Sequence, residues 1–410
     1  MKSVLILSKW NDSGSVAVAV EQLRARGLRS VLVSPFPVDR DRDRDRDKCD
    51  DHILMDWDSG DPSTLITQLD RRDIVPIAVI NIFEALVPWQ AAIAAHYDLP
   101  GAGAGLDVLA SKTLVRKHMR TLGLSAVRFS GAPEEVDFFP AIVKPARGTS
   151  SSWLVRRVDN PAELLAYQRH LAERGLADTE LIIEEYLPGT EFYLDGPVVG
   201  GRFHPVLTAE KLDHDDTRHH DAGLNVHPPQ HDHVRDGVRA LSETIDTLCA
   251  DLRLDQLWLH IEGRTTVDGR TELIEINPRP GGGMVPTAIR ELSGVDPIEA
   301  VIAMSLGEFS VTPQRPNRPR DRAVIGWVDV EADELGTVQI STREDDLRTL
   351  PGFVGAEILN GYQITSLEKE NFFLCFAIAA DSLSQLRTRA ETVLSKVDYR
   401  IAAQLEAPPV

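Results

Sequence analysis

The stretch LWLHIEGRTTVDGRTELIEINPRPGGG, Leu257–Gly283, concentrates acidic, amide and cationic side chains at strand-like spacing. Asp268-Gly269 suits a two-residue hairpin turn, because both central positions of a type I′ turn need positive φ. Taking that pair as the loop sets Val267 opposite Arg270, Glu262 opposite Glu275 and His260 opposite Asn277. Side chains alternate faces along a strand. One face then carries His260, Glu262, Arg264, Leu273, Glu275, Asn277 and Arg279, and the other carries Leu257, Leu259, Ile261, Ile274 and Ile276. Two carboxylates facing each other across a ladder repel. A hard divalent cation removes that cost, and Mg²⁺ favours one or two carboxylate oxygens together with substrate phosphates. Asn277 offers a third oxygen on the same face. Read alone, the hairpin also fits a solvated polar face whose acids point into water. Arg279 and Gly281-Gly282-Gly283 favour a site, since a guanidinium clamps a carboxylate bidentately and glycines let backbone approach a ligand closely.

With these residues in place, and with further motifs in order over residues 75–305, the chain resembles the ATP-grasp superfamily, ATP-dependent ligases that couple a carboxylate to an amine. The resemblance implies ATP and Mg²⁺ as cofactors, two ions with Mn²⁺ as a substitute, held by Glu262, Glu275 and Asn277. Lys112 in Ala-Ser-Lys-Thr and Lys144 in Pro-Ala-Ile-Val-Lys-Pro resemble the two phosphate-contacting lysines. Ser150, Ser151 and Ser152 stand at the phosphate loop, which here has the single glycine Gly148. Glu184-Glu185-Tyr186-Leu187 resembles the hinge that reads adenine through the backbone of Glu185 and Leu187, and Glu191 stands where the ribose hydroxyls are bound. Arg279 and Gly282 would act on the acyl group, with Gly281 and Gly283 beside them, and Lys211 resembles a lid lysine for the γ-phosphate. Glu84, Asp221 and His227 are the candidates for the amine side. Glu84 in Phe-Glu-Ala-Leu-Val and Asp221-Ala222-Gly223 resemble the L-amino-acid ligase branch, although Asp221 replaces the more usual Glu and Leu224 stands where a His is frequent. Purine-biosynthesis, D-alanyl-D-alanine and bicarbonate-using relatives, and an inactive nucleotide-binding regulator, remain as alternatives.

These groups need elements to position them. Val4–Ser8, Ser30–Phe36 and Ile74–Ile82 read as buried strands and Ser15–Arg26 as a helix ending at Gly27, which predicts a βαβ unit. Asp39–Asp51 alternates Asp and Arg and has no apolar face, so it reads as a solvated loop. Helical spacing recurs over Ser111–Leu122 and Pro161–Arg174. Strands are expected near 323–330, 338–341 and 372–379, with a closing helix over 382–397. Gly-rich 99–105 and Pro/Arg-rich 313–322 suggest connections. The expected organisation is α/β and α+β. It comprises a Rossmann-like unit at 1–105, a two-lobed ATP-grasp domain at 106–312 with its lid near 204–233, and a small α+β domain at 313–410.

Composition bounds the remaining classes. Lys plus Arg number 44 against 63 Asp plus Glu, a formal charge of −19. Readers of nucleic-acid backbones rely on a cationic footprint, so nucleic acid is an unexpected partner. No apolar run approaches the roughly 20 residues a membrane helix needs. The expected setting is cytoplasmic, with small amino-acid-like substrates and a homodimer left open. Cys49, Cys249 and Cys375 lie far apart and suit reduced thiols. Seven of the 12 histidines fall in 204–233, without clean metal-ligand spacing.

Overall fold

The computed structural model describes residues 1–9, 14–35, 49–100, 105–148, 152–213, 223–311 and 324–403. Most of the Asp-Arg run, most of the Gly-rich connection, Ser150, Ser151, Asp221, His214, His219, His220 and the Pro/Arg-rich connection lie outside the described residues.

The N-terminal residues build a four-stranded parallel sheet in the order Asp51–Leu54, Arg29–Ser34, Ser3–Leu7, Pro76–Ile80. All five residues of Ser3–Leu7 are buried, as expected for a parallel strand covered on both faces. One cover is the helix Gly14–Ala25. Ile302, on the later helix Pro297–Ser305, joins the same core as Val4, Ile6 and Val20.

A second, four-stranded sheet has the order Phe129–Ser130, Leu181–Glu185, Ala141–Pro145, Arg156–Val158, backed by the helix Pro161–Glu173. That helix begins where its sequence says it should. Asn160 caps it by accepting from Glu163 N–H, and Pro161 occupies its first position. The helix Lys112–Thr121 is capped in the same way by Ser111, which accepts from Leu114 N–H.

The third sheet is antiparallel and nine-stranded. Its main path runs Thr271–Asn277, Leu257–Thr265, Thr190–Val199, Leu207–Lys211, Gly223–His227, Val324–Glu331, Phe372–Ala380, Phe353–Ile358, with Arg202–Phe203 paired beside Thr190–Val199. The 20-residue helix Asp232–Asp251 covers one face with Val234, Leu241, Ile245 and Leu248, packed with Phe192, Leu259 and Ile261. Because Val324–Glu331 pairs with Gly223–His227, strands of the last ninety residues join the sheet that holds the hairpin. A small sheet, Gln363–Ile364, Gly336–Ile340 and Tyr399–Ala402, and the helix Leu383–Leu394 complete this end.

The hairpin departs from the expected geometry in one respect. Glu262 pairs with Glu275 and His260 with Asn277, as the turn argument requires, but Thr265 pairs with Thr271 and Gly263 with Leu273. The loop is therefore Thr266–Arg270, longer than two residues. It is closed by Thr266 N–H to the Arg270 carbonyl at 2.9 Å and by Gly269 N–H to the Thr266 carbonyl at 3.0 Å. A β-bulge at Ile274 absorbs the extra residue. The bulge also exchanges two side chains: Leu273 enters the core with Ile261 and Ile276, whereas Ile274 lines the cavity described next. The expectation that put Leu273 on the polar face and Ile274 in the core is corrected accordingly.

Candidate active site

The bulged hairpin forms one wall of a cavity of about 370 Å³. Glu262, Glu275, Asn277, Arg279, Gly282 and Gly283 line it, together with Glu84, Lys112, Lys144, Ser152, Glu184, Glu185, Tyr186, Leu187, Glu191 and Lys211. Residues as far apart in sequence as Glu84 and Gly283, 199 positions, are thus brought together by two sheets, the helix Lys112–Thr121 and the short turn that begins at Glu84.

Glu262 and Glu275 face each other across the ladder, and each meets a lysine. Lys112 Nζ lies 3.0 Å from Glu275 and 3.7 Å from Glu84, and Lys211 Nζ lies 3.6 Å from Glu262 and 2.5 Å from Glu191. Burial alone would raise Glu262, yet Lys211 and a hydrogen bond from His260 hold its carboxyl well below the usual range. Glu84 behaves oppositely. Burial and the nearby Glu275 push it up to about 7 against the pull of Lys112 and of Arg279, whose guanidinium lies 3.8 Å away.

Lys144 is fixed at its ammonium, which lies 2.8 Å from Glu184 and donates to the Ile274 carbonyl at 3.1 Å. That carbonyl belongs to the bulge residue. Glu184 also receives the Nε of Arg116, which in turn donates to the Leu273 carbonyl at 2.5 Å. Although burial opposes it, this pair of cations brings Glu184 down to about 2. The carboxylate of Glu184 therefore orients Lys144. Glu185 is tied to Arg128 and Arg270, and its N–H donates to the Arg128 carbonyl. The Leu187 carbonyl accepts from Arg264, and Arg264 also reaches Glu191 at 2.8 Å. Of the expected hinge contacts, the Glu185 N–H and the Leu187 carbonyl thus already have protein partners, and Glu191 is part of a buried cluster with Lys211 and Arg264.

Asp195, fully buried, anchors the turn after the hairpin. It accepts from Trp258 Nε1 at 3.0 Å and Gly281 N–H at 2.9 Å, and pairs with His260 at 2.5 Å. Burial lowers the imidazole and the Asp195 charge raises it, the balance standing at about 9. Since the Gly281 amide is engaged by Asp195, it is not free for an acyl oxygen, and Gly281 does not line the cavity; Gly282 and Gly283 do. A Cβ at position 281 would meet His260 Nδ1 and Val285 Cγ1, both at 2.8 Å. Gly281→Ala is therefore expected to cost about 1–3 kcal/mol by overpacking, seen as a lowered melting temperature, together with lost activity as the turn shifts. His227 lies apart from the cavity lining, with Nδ1 2.7 Å from the Thr208 carbonyl.

Several cavity residues were not singled out from the sequence. Arg116 stands one helical turn after Lys112, a spacing that places both on one face, so a signal existed. Asp195, which supports the lining residue His260 without lining the cavity itself, was likewise not singled out, though it is an acid inside the otherwise apolar run FYLDGPVV. Asn225, Trp327, Asp329, Glu370, Phe372 and Cys375 reach the cavity through long-range pairing of the central sheet, which no local spacing announces.

Two carboxylates and an amide oxygen on one face, opposed by cations and beside a glycine turn, suit a hard divalent ion with a polyphosphate. Among the described residues no group of three or more His, Cys, Asp or Glu side chains is arranged to hold a metal ion. His231 pairs with Glu210 and His233 contacts Thr190.

Residues 137–288 match the family model described as ATP-grasp domain. This part of the chain is an ATP-grasp domain, and the whole has the ATP-grasp architecture. The fold is similar across 99% of the chain to L-amino acid ligase from Bacillus licheniformis, with TM-score 0.77, 16% identity and 99% of that chain covered. N5-carboxyaminoimidazole ribonucleotide synthetase from Thermotoga maritima is similar over 98% of this chain and 100% of its own, with TM-score 0.69 and 13% identity. The biotin carboxylase domain of Hydrogenobacter thermophilus 2-oxoglutarate carboxylase, solved with MgADP and bicarbonate, is similar over 98% and 91%, with TM-score 0.70 and 13% identity. No curated protein matches the chain by sequence.

Proposed function

We propose that the protein is an ATP- and Mg²⁺-dependent ligase that joins an amino-acid-like carboxylate to an amine through an acyl-phosphate, releasing ADP and phosphate. The observation that carries this reading is the cross-strand pair Glu262–Glu275 with Asn277 on the same cavity wall as Arg279. Glu262, Glu275 and Asn277 would hold Mg²⁺, which supplies charge neutralisation on the phosphate oxygens. Mn²⁺ would serve in its place.

In the first step a substrate carboxylate oxygen bonds to the γ-phosphorus of ATP, and the bond from that phosphorus to the β-bridging oxygen breaks with ADP as leaving group. Little covalent work falls on the protein, so positioning and charge dominate. Lys144, oriented by Glu184, and Lys112 face the phosphates, and Lys211 neutralises charge beside Glu262. Arg279 and the backbone at Gly282 and Gly283 hold the acyl group. In the second step the amine nitrogen bonds to the acyl carbon, the carbon–oxygen bond to phosphate breaks, and the nitrogen's proton passes to a carboxylate. Glu84, raised to about 7, is suited to accept it near neutral pH.

Tyr186 and Leu187 would border the adenine and Glu191 the ribose, with Ser150, Ser151 and Ser152 over the phosphates. The amino-acid preference rests on Glu84 and on the resemblance of Asp221-Ala222-Gly223 to that branch. Partners on this reading are small molecules in the cytoplasm, acted on by units spanning 1–105, 106–312 and 313–410. Purified protein with ATP, Mg²⁺ and pairs of L-amino acids should release ADP and phosphate with a dipeptide detectable by mass spectrometry. AMP and pyrophosphate as products would contradict the acyl-phosphate route.

A further inference from the structure

The cavity wall supplied by the last ninety residues includes Asp329, Trp327, Phe372 and Cys375, none of them assigned above to ATP or metal, and it carries a defined chemical pattern. Asp329, on the strand Val324–Glu331, places Oδ1 3.4 Å from where a Cβ would stand on Gly283, and Cys375 Sγ lies 3.8 Å from the same point. Gly283 has φ +53, so a side chain there would be strained by its backbone conformation, although at these distances a Cβ would make only ordinary van der Waals contact. The positive φ at Gly283 thus favours glycine and keeps the space between the turn and this carboxylate clear. Asn225, 3% exposed, donates Nδ2 to Asp329 Oδ2 at 3.1 Å and fixes the carboxylate's plane. Around it the wall turns apolar: Trp327 is 2% exposed, packs 5.7 Å from the Tyr193 ring, and shares a cluster with Phe372 and Cys375.

A carboxylate aimed at the turn proposed to hold the acyl group, set within an aromatic and thiol surface, fits a primary ammonium carried on an apolar group. We infer that Asp329 binds the ammonium of the incoming amine substrate, and that Trp327 and Phe372 bound the space for its side chain, so that the C-terminal segment sets amine specificity. This rests on the ligase reading above. Glu84 and Asp329 then divide the work: Asp329 holds the amine as ammonium until it gives one proton to water and frees the nitrogen lone pair, and Glu84, between Lys112 and Arg279, accepts the second proton as the nitrogen bonds to the acyl carbon.

The test begins with wild-type protein, ATP, Mg²⁺, hydroxylamine and each common L-amino acid as carboxylate donor, read as hydroxamate. No hydroxamate with any donor overturns the ligase reading itself. With the donor so identified, L-alanine, L-leucine and L-phenylalanine serve as amines for wild type and Asp329→Asn. Hydroxylamine is largely uncharged at pH 8, so it makes no use of an ammonium site. In Asp329→Asn the kcat/KM for L-leucine relative to that for hydroxylamine should fall at least tenfold, carried by the KM for L-leucine. An unchanged ratio overturns the inference while leaving the ligase reading intact. Should Asp329→Asn fail to fold by thermal melting, Phe372→Leu decides: the L-phenylalanine to L-alanine preference should shift at least threefold, and an unaltered preference overturns the inference.

Discussion

Glu275→Gln is expected to lower ATP-dependent turnover by on the order of 100-fold or more, the scale seen when one charged group serving a transferring phosphate is lost. The substitution keeps the side chain's shape and removes only the charge. Two effects compete. Lys112 loses its partner at 3.0 Å and keeps Glu84 at 3.7 Å, which weakens the unliganded site. Against that, relief of repulsion between Glu262 and Glu275 across the ladder favours the unliganded fold. Because these terms nearly cancel, the melting temperature without nucleotide should move little, while the rise in melting temperature on adding ATP and Mg²⁺ should be largely lost. Unchanged turnover would remove Glu275 from the metal site.

The second large effect concerns stability. Arg116→Met should destabilise the protein by about 3–5 kcal/mol, because it leaves the buried carboxylate of Glu184 with Lys144 alone. The double variant Arg116→Met, Glu184→Gln should lose less than the single one, since no uncompensated charge then remains. Acid should act through the same group. Glu184 is depressed from 4.5 to about 2, so its contribution is present in full above pH 4.5 and disappears as pH falls through about 2. Urea unfolding at pH 7 and at pH 3 measures both. A single variant as stable as wild type would show that Arg116 is not holding Glu184.

The site was legible in the sequence wherever short-range periodicity carried it. The Glu262–Glu275 pairing followed from a turn signal and strand alternation, even though the loop is longer than two residues. The bulge at Ile274 restores the pairing at Glu275, and it also hands the Ile274 carbonyl to Lys144. No residue-type pattern marks that bulge, which is why Leu273 and Ile274 were placed on the wrong faces. The capped helices Lys112–Thr121 and Pro161–Glu173 were readable from Ser111 and Asn160. Asp195 was less so, because an acid in an apolar strand becomes meaningful only when His260, Trp258 and Gly281 converge on it. Trp327 and Asp329 lie farther still from prediction: their position depends on pairing between Val324–Glu331 and Gly223–His227, about a hundred residues apart.

The central claim is chemical, that a carboxylate oxygen attacks the γ-phosphate of ATP. Running the reaction with a carboxylate donor labelled with ¹⁸O in both oxygens, and weighing the released phosphate by mass spectrometry, tests it directly. One ¹⁸O per phosphate, with ADP as the other nucleotide product, is the predicted result. Unlabelled phosphate, or AMP with pyrophosphate, would contradict it.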